Sequence, residues 1–283
     1  MHHKRAFTLI ELLVVVSILG LLASIILASL SNAKDRGIVA ASVQFADTNY
    51  HAYGSDAFAI YNFNTTVGSA PSVIAESMNN FYASCPISNG MVISADSPAG
   101  SAGNTSANFV LASAFCTYVS VPATLTLPKY TLTGWIKLTT LNGRPVIVEL
   151  KDPVSGNSEL VYVSTSNKVI CKSAVPAFNG AGITSNTVLQ LNKWYHVACT
   201  FDGTGNLNLY VNGNRDGTTI STASALTWTS SPTINLWRDT LAVPLATGYL
   251  DDVMIFSHAL ALGEIQHLYA KGLKTHQLAV GSN

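Results

Sequence analysis

Two patterns of apolar and polar positions divide the chain. From Phe7 to Leu30 apolar side chains follow one another with few interruptions, which predicts a helix apolar on every side. At about 1.5 Å rise per residue, the stretch Leu12 to Leu30 just reaches across a hydrocarbon core about 30 Å thick. Lys4 and Arg5 precede it, and Lys34 and Arg36 lie well beyond, an asymmetry that holds the N-terminus in the cytoplasm. Ile38, Ala41 and Phe45 share one helical stripe, so the helix is expected to run to about Thr48, with Gly37 costing about 1 kcal/mol.

From Ala57 onwards the pattern changes to short alternating runs broken by turn residues. Strands are predicted at Ala59–Phe63, Tyr118–Val121, Tyr130–Lys137, Val146–Glu149, Glu159–Ser164, Lys168–Lys172, Trp194–Phe201, Asn206–Val211 and Leu250–Phe256. Asn142-Gly143, Asp202-Gly203 and Asn212-Gly213 mark turns, pairs of a kind common in tight hairpins. Only Leu262–Tyr269, with Leu262, Ile265, Leu268 and Tyr269 in phase, reads as a helix in this part. Many strands and few helices argue for a β-sandwich or jelly roll.

Composition sharpens this picture. The 15 basic and 15 acidic side chains cancel, which argues against a nucleic-acid partner. A mean hydropathy of +0.31 comes largely from the N-terminal run; the remainder interleaves Ser, Thr, Asn and Gly with Val, Leu, Tyr and Phe, as exported β-domains do. Cys85, Cys116, Cys171 and Cys199 fit no zinc spacing. Four cysteines allow three pairings; Cys85–Cys116 and Cys171–Cys199 are preferred because sequence neighbours often occupy neighbouring strands, with buried free thiols as the alternative.

The apolar run has three ordinary readings: a secretory signal, a plain anchor and a buried core helix. Ala28, Ser29 and Leu30 make a poor signal cleavage site. Glu11 decides among them, because a carboxylate at the mouth of an apolar helix is expensive in lipid and is kept for function. The string from Lys4 through Phe7 and Glu11 to Val15 resembles the processing site of type IV prepilins and type II secretion pseudopilins.

That resemblance implies a leader at 1–6, cleavage by a prepilin peptidase between Ala6 and Phe7, and a membrane and filament-assembly helix at 7–50. Phe7 becomes the N-methylated terminus, and Glu11 pairs with the terminal amine of a neighbouring pilin subunit, two charges tolerable together in an apolar bundle. Two departures from the family pattern point towards a minor pilin or pseudopilin: Ala6 stands where Gly is usual, and Ala28 where many major pilins carry Pro. The expected location is the cytoplasmic membrane, spanned once, and then an extracellular or periplasmic filament.

A second resemblance covers 57–271, leaving 272–283 as a tail. Leu191 to Gly203 followed by Leu207 to Gly213 looks like the central hairpin of laminin-G-like, concanavalin A-like jelly rolls. Tyr130–Lys137 is similar to an early strand of that family, Gly248–Phe256 to its closing strand, and Ala59–Phe63 to its opening strand. The fold expected is therefore mainly β, a long N-terminal helix followed by a concanavalin A-like sandwich.

Trp135, Trp194 and Tyr210 read as core anchors and His196 as a hydrogen-bonded core histidine. Trp228 and Trp237, in a polar neighbourhood, are the candidates for surface stacking on a ligand. Asp251 and Asp252 could contribute to Ca²⁺ at the jelly-roll edge, as in some members of the resembled family, or could serve backbone N–H groups; no cofactor and no metal ligand is assigned. No GxSxG, HExxH, P-loop or paired-carboxylate strand occurs, so no catalytic residue is assigned. The function expected is a structural filament subunit, or alternatively a filament-borne adhesin whose head binds carbohydrate or a surface protein.

Overall fold

The computed structural model describes residues 9–18, 57–61, 63, 72–73, 83–86, 91–94, 106–110, 115–118, 127–140, 143–174, 182–220, 228, 230–238 and 246–277. The chain divides into two compact units, Met1–Tyr53 and Gly54–Asn283. In the first, residues 9–18 form helix α1. Among the described residues no helix is long and apolar enough to cross a membrane. Most of the predicted span, the Ala6–Phe7 pair and the extension to Thr48 lie outside the described residues.

The second unit is built from antiparallel strands: β1 (Ala57–Tyr61), β2 (Ser72–Val73), β3 (Cys85–Pro86), β4 (Met91–Ser94), β5 (Ser106–Phe109), β6 (Cys116–Tyr118), β7 (Tyr130–Leu138) and β8 (Val146–Lys151). They are followed by β9 (Ser158–Val163), β10 (Lys168–Ala174), β11 (Gly182–Val188), β12 (Trp194–Phe201), β13 (Leu207–Val211), β14 (Asn214–Arg215), β15 (Thr233–Leu236) and β16 (Gly248–Phe256), and then by helix α2 (Leu262–Gln277). The larger sheet runs β14-β13-β12-β7-β16-β5-β4, with β1 also paired to β16; the smaller runs β11-β10-β9-β8-β15-β6.

Period-two alternation puts one face of each sheet into a shared core. Leu132, Ile136, Val197, Leu209, Val253 and Ile255 of the larger sheet meet Val148, Leu150, Val161, Val163, Ile234 and Leu236 of the smaller. Gly134 lets the sheets close on one another: a Cβ there would stand 3.1 Å from Val253 and 3.2 Å from Ile147. Both preferred disulfides are present. Cys85–Cys116 ties β3 to β6, and Cys171–Cys199 crosses the sandwich from β10 to β12.

The opposite face of the larger sheet carries a second apolar cluster. Ala198, Tyr210, Met254 and Phe256 are covered there by Leu260 and by Ile265 and Leu268 of α2. The helix begins where Glu264 Oε2 accepts the N–H of Ala261 at 2.6 Å, a capping contact for an otherwise orphaned donor. It runs through Gln277, so the tail expected from residue 272 is helical in its first residues. Gly272 lets the helix dock closely, since its bare backbone lies against the Trp135 indole.

Turn chemistry follows expectation at one hairpin and exceeds it at another. Asn212 and Gly213 both take positive φ, 51° and 73°, and join β13 to β14 directly. Asp202-Gly203 instead opens a longer loop from β12 to β13. There Asp202 Oδ2 accepts the Asn206 side-chain amide (2.6 Å) and Oδ1 the N–H groups of Thr204 (2.7 Å) and Asn206 (3.1 Å), and these bonds outweigh desolvation and pull the carboxyl well below the usual range.

Candidate functional site

Two places in the chain carry chemistry that folding alone does not require. The first is α1, where Leu9, Ile10, Leu12, Leu13, Val14, Val15, Val16 and Ile18 are all exposed. A helix apolar around its whole circumference finds its partners in lipid or in other helices. Glu11 sits among these residues and is exposed on the same helix, and Ser17 turns its hydroxyl onto the Val14 carbonyl at 2.8 Å.

The second place is on the face of the larger sheet that points away from the core. Outward positions of β7, β12 and β16 form rows across the strands. Trp135, His196 and Asp251 make one row, and they are buried. Trp135 stacks on Tyr269 of α2 with ring centroids 5.7 Å apart. His196 Nε2 lies 2.8 Å from Thr133 Oγ1. Because that hydroxyl donates its one proton to the Val197 carbonyl at 2.9 Å, it accepts from the imidazole, which fixes the Nε2–H tautomer. His196 is thus buried and hydrogen-bonded as expected, but beside Tyr269 of α2 and not in the core between the sheets.

The next row differs in kind. Register places Trp194 opposite Lys137, Lys137 opposite Tyr249, Tyr249 opposite Asn108 and Asn108 opposite Val92. Lys137 Nζ lies 4.0 Å from the Tyr249 ring centroid and 5.4 Å from that of Trp194. The two rings stand 6.1 Å apart at 54°, although their strands are separated by β7, a backbone distance of about 10 Å. They lean together over the lysine stem, leaving Lys137 only 8% exposed while Trp194, Tyr249 and Asn108 are half-buried. Beside this row Thr139 Oγ1 and Thr247 Oγ1 are 2.7 Å apart, and Thr247 Oγ1 donates to Thr140 Oγ1 at 3.2 Å.

Trp194, expected in the core, therefore belongs to an outward-facing row. Of the two tryptophans expected to stack on a ligand, Trp237 does the reverse, and this is a correction. Trp237 is fully buried, stacked on Phe109 at 4.7 Å and 4°, and its indole N–H donates to the Ala246 carbonyl at 3.0 Å. Its positive φ of 59° at the end of β15 turns the ring inwards, which a polar neighbourhood in sequence does not reveal. Trp228 is half-buried and packs against the same main core.

Asp251 and Asp252 occupy a bulge in β16, where Asp252 has φ 44° and Asp251 Oδ1 accepts the Asp252 N–H at 2.8 Å. Burial, together with their mutual repulsion at Asp251, raises both carboxyls above the usual range. Among the described residues no three His, Cys, Asp or Glu side chains stand together as a metal site, and this pair does not supply the six to eight oxygens Ca²⁺ takes.

Sequence and structure comparisons agree with this division. Residues 1–27 match the prokaryotic N-terminal methylation motif, the type IV pilin signal, and residues 116–266 match the concanavalin A-like lectin/glucanases superfamily. The chain belongs to the concanavalin A-like lectin/glucanases superfamily. No curated protein matches this superfamily member. Among solved structures its fold is similar to the binding domain of Paraclostridial mosquitocidal protein 1 (TM-score 0.56, 14% identity, 76% of this chain and 52% of that one). It is also similar to the receptor binding domain of botulinum neurotoxin type G (0.52, 16%, 76% and 51%). A third likeness is to the binding domain of botulinum neurotoxin DC in complex with rat synaptotagmin II (0.53, 13%, 77% and 52%). The chain spans about half the length of these structures, and at such identities the likeness establishes the jelly-roll fold alone.

Proposed function

We propose that this chain is a minor subunit of a type IV pilus-like filament whose jelly-roll head is a ligand-binding module. The carrying observation is the union in one polypeptide of a methylation motif at 1–27 and a lectin-superfamily domain at 116–266. On this reading a prepilin peptidase cuts between Ala6 and Phe7, and the mature helix leaves the cytoplasmic membrane for the filament. Glu11 then answers the terminal amine of the next pilin subunit and fixes the axial register. The head binds a glycan or a surface protein, and the row of Trp194, Lys137 and Tyr249 is where it does so.

The head acts by binding and not by catalysis. Glu149 and Glu159, the buried glutamates among the described residues, support this: Glu159 faces the core, bonded to Tyr130 and Ser173, while Glu149 faces the other side of the smaller sheet, bonded to Asn235. Carboxylates on opposite faces cannot flank one glycosidic bond. A purely architectural head is the second reading, favoured by the burial of Trp237 in the core. Glu11→Ala tests the assembly half: the variant is expected to stay in the membrane and to be missing from sheared filaments, and wild-type incorporation contradicts the register argument.

A further inference from the structure

We propose that the row Trp194–Lys137–Tyr249–Asn108 recognises an acidic sugar residue in a polysaccharide, with the Lys137 ammonium engaging its carboxylate or sulfate. The proposal rests on the reading of the head as a binding module and names the ligand chemistry of that site.

Three features of the row lead to this class. First, the cation is fixed in place. A surface lysine normally sweeps a flexible four-carbon stem through solvent, but Trp194 and Tyr249 close over this one and hold Nζ 4.0 Å from one ring centroid and 5.4 Å from the other. The ring faces offset part of the cost of drawing the ammonium out of water. Second, the groups around it match a sugar ring. Two half-buried aromatic rings offer apolar surface to a pyranose face, the Asn108 amide stands next in register, and the hydroxyls of Thr139, Thr140 and Thr247 form a hydrogen-bonded cluster alongside. Third, the shelf is narrow and runs across the strands. The neighbouring row is already filled, since Trp135 is covered by Tyr269 and Gly272 of α2. A linear chain lying along the row would meet Trp194, Lys137, Tyr249 and Asn108 in turn and reach Val92, which is 42% exposed.

The charge of the whole protein makes the lysine decisive. With 15 basic and 15 acidic residues there is no net field to gather polyanions, so an acidic ligand must be held locally. Nucleic acid is disfavoured by the same fact, because single-strand grooves track the phosphates with many cations, whereas this row contains a single Lys or Arg.

The test uses the purified full chain in a non-ionic detergent, immobilised and exposed to polygalacturonate (carboxylate only), dextran sulfate (sulfate only), neutral dextran and oligothymidylate. Binding is expected to one or both acidic polysaccharides and not to dextran, and the responding arm tells carboxylate from sulfate. Lys137→Gln is expected to weaken binding about tenfold or more and Lys137→Arg to restore most of it. Asn108→Ala, on β5 away from the aromatic pair, is expected to weaken it less and serves if Lys137→Gln does not fold. Neutral dextran bound as well as the acidic chains would overturn the assignment of an acidic ligand while leaving the binding head intact. Oligothymidylate bound more tightly than either polysaccharide, or acidic binding unchanged in both Lys137→Gln and Asn108→Ala, would overturn the site. Silence in every arm would overturn the acidic-sugar assignment and leave a surface protein as the ligand of the head.

Discussion

Replacing Glu159 by Gln should remove about 4 kcal/mol of the fall in stability that this head undergoes between pH 5 and pH 8. Glu159 lies on β9 facing the core, where Tyr130 of β7 donates to Oε2 and Ser173 of β10 donates to Oε1 at 3.0 Å. Burial pushes its carboxyl up from 4.5 to about 8. The raised value means that the folded state holds its proton where the unfolded state has released it. The stabilisation is therefore complete below about pH 4.5 and is lost as pH rises through about 8. Each pH unit in that window costs about 1.4 kcal/mol, so the loss from pH 5 to pH 8 is about 4 kcal/mol. Gln keeps the shape, and because one hydroxyl can turn to accept from its amide N–H while the other donates to its carbonyl, it keeps both hydrogen bonds without a titrating proton. Urea unfolding of the full chain in detergent, followed by near-ultraviolet circular dichroism, measures the effect. The variant should gain on the wild type by about 4 kcal/mol between the two pH values, starting from near equality at pH 5. A gap that stays constant with pH would refute the reasoning, whatever its size.

Three further outcomes follow from the packing. Gly272→Ala would place a Cβ 2.3 Å from Trp135 Nε1, and the strain should destabilise α2 docking by about 1–3 kcal/mol, read as faster amide exchange confined to 262–277. Asp216→Ala removes the carboxylate that accepts the N–H groups of Asn186 (2.5 Å) and Thr187 (3.1 Å) from edge strand β11, at a cost of about 1–3 kcal/mol in thermal or urea unfolding. The double change of Cys171 and Cys199 to Ala opens a link across 28 residues and should cost about 3–4 kcal/mol in the same assay, with more lost than by any single surface change.

Much of the head could be read from the chain because its central strands alternate cleanly. Leu132 and Ile136 point in while Thr131, Thr133 and Lys137 point out, and β12 keeps the same rhythm with Val197, Cys199 and Phe201 inside. The strands that escaped notice lack that contrast. Gly182–Val188 offers Ile183 to the core among Ser, Asn and Thr, and it is held as a strand by its pairing with β10 and by Asp216. Thr233–Leu236 and Ser106–Phe109 are only four residues long. The row of Trp194, Lys137 and Tyr249 was half legible. Alternation put Lys137 outside, but its aromatic neighbours come from strands 57 and 112 residues away, and only the cross-strand register brings them together. Trp237 misled for a related reason: its local sequence is polar, and its burial is decided by Phe109 and Ala246.

The account stands on where the polypeptide is cut. Mass spectrometry of the subunit recovered from sheared surface filaments should find a mature chain that begins at N-methylated Phe7 and retains Glu11. A filament-free cell whose protein still begins at Met1, or begins beyond Leu30, would contradict it.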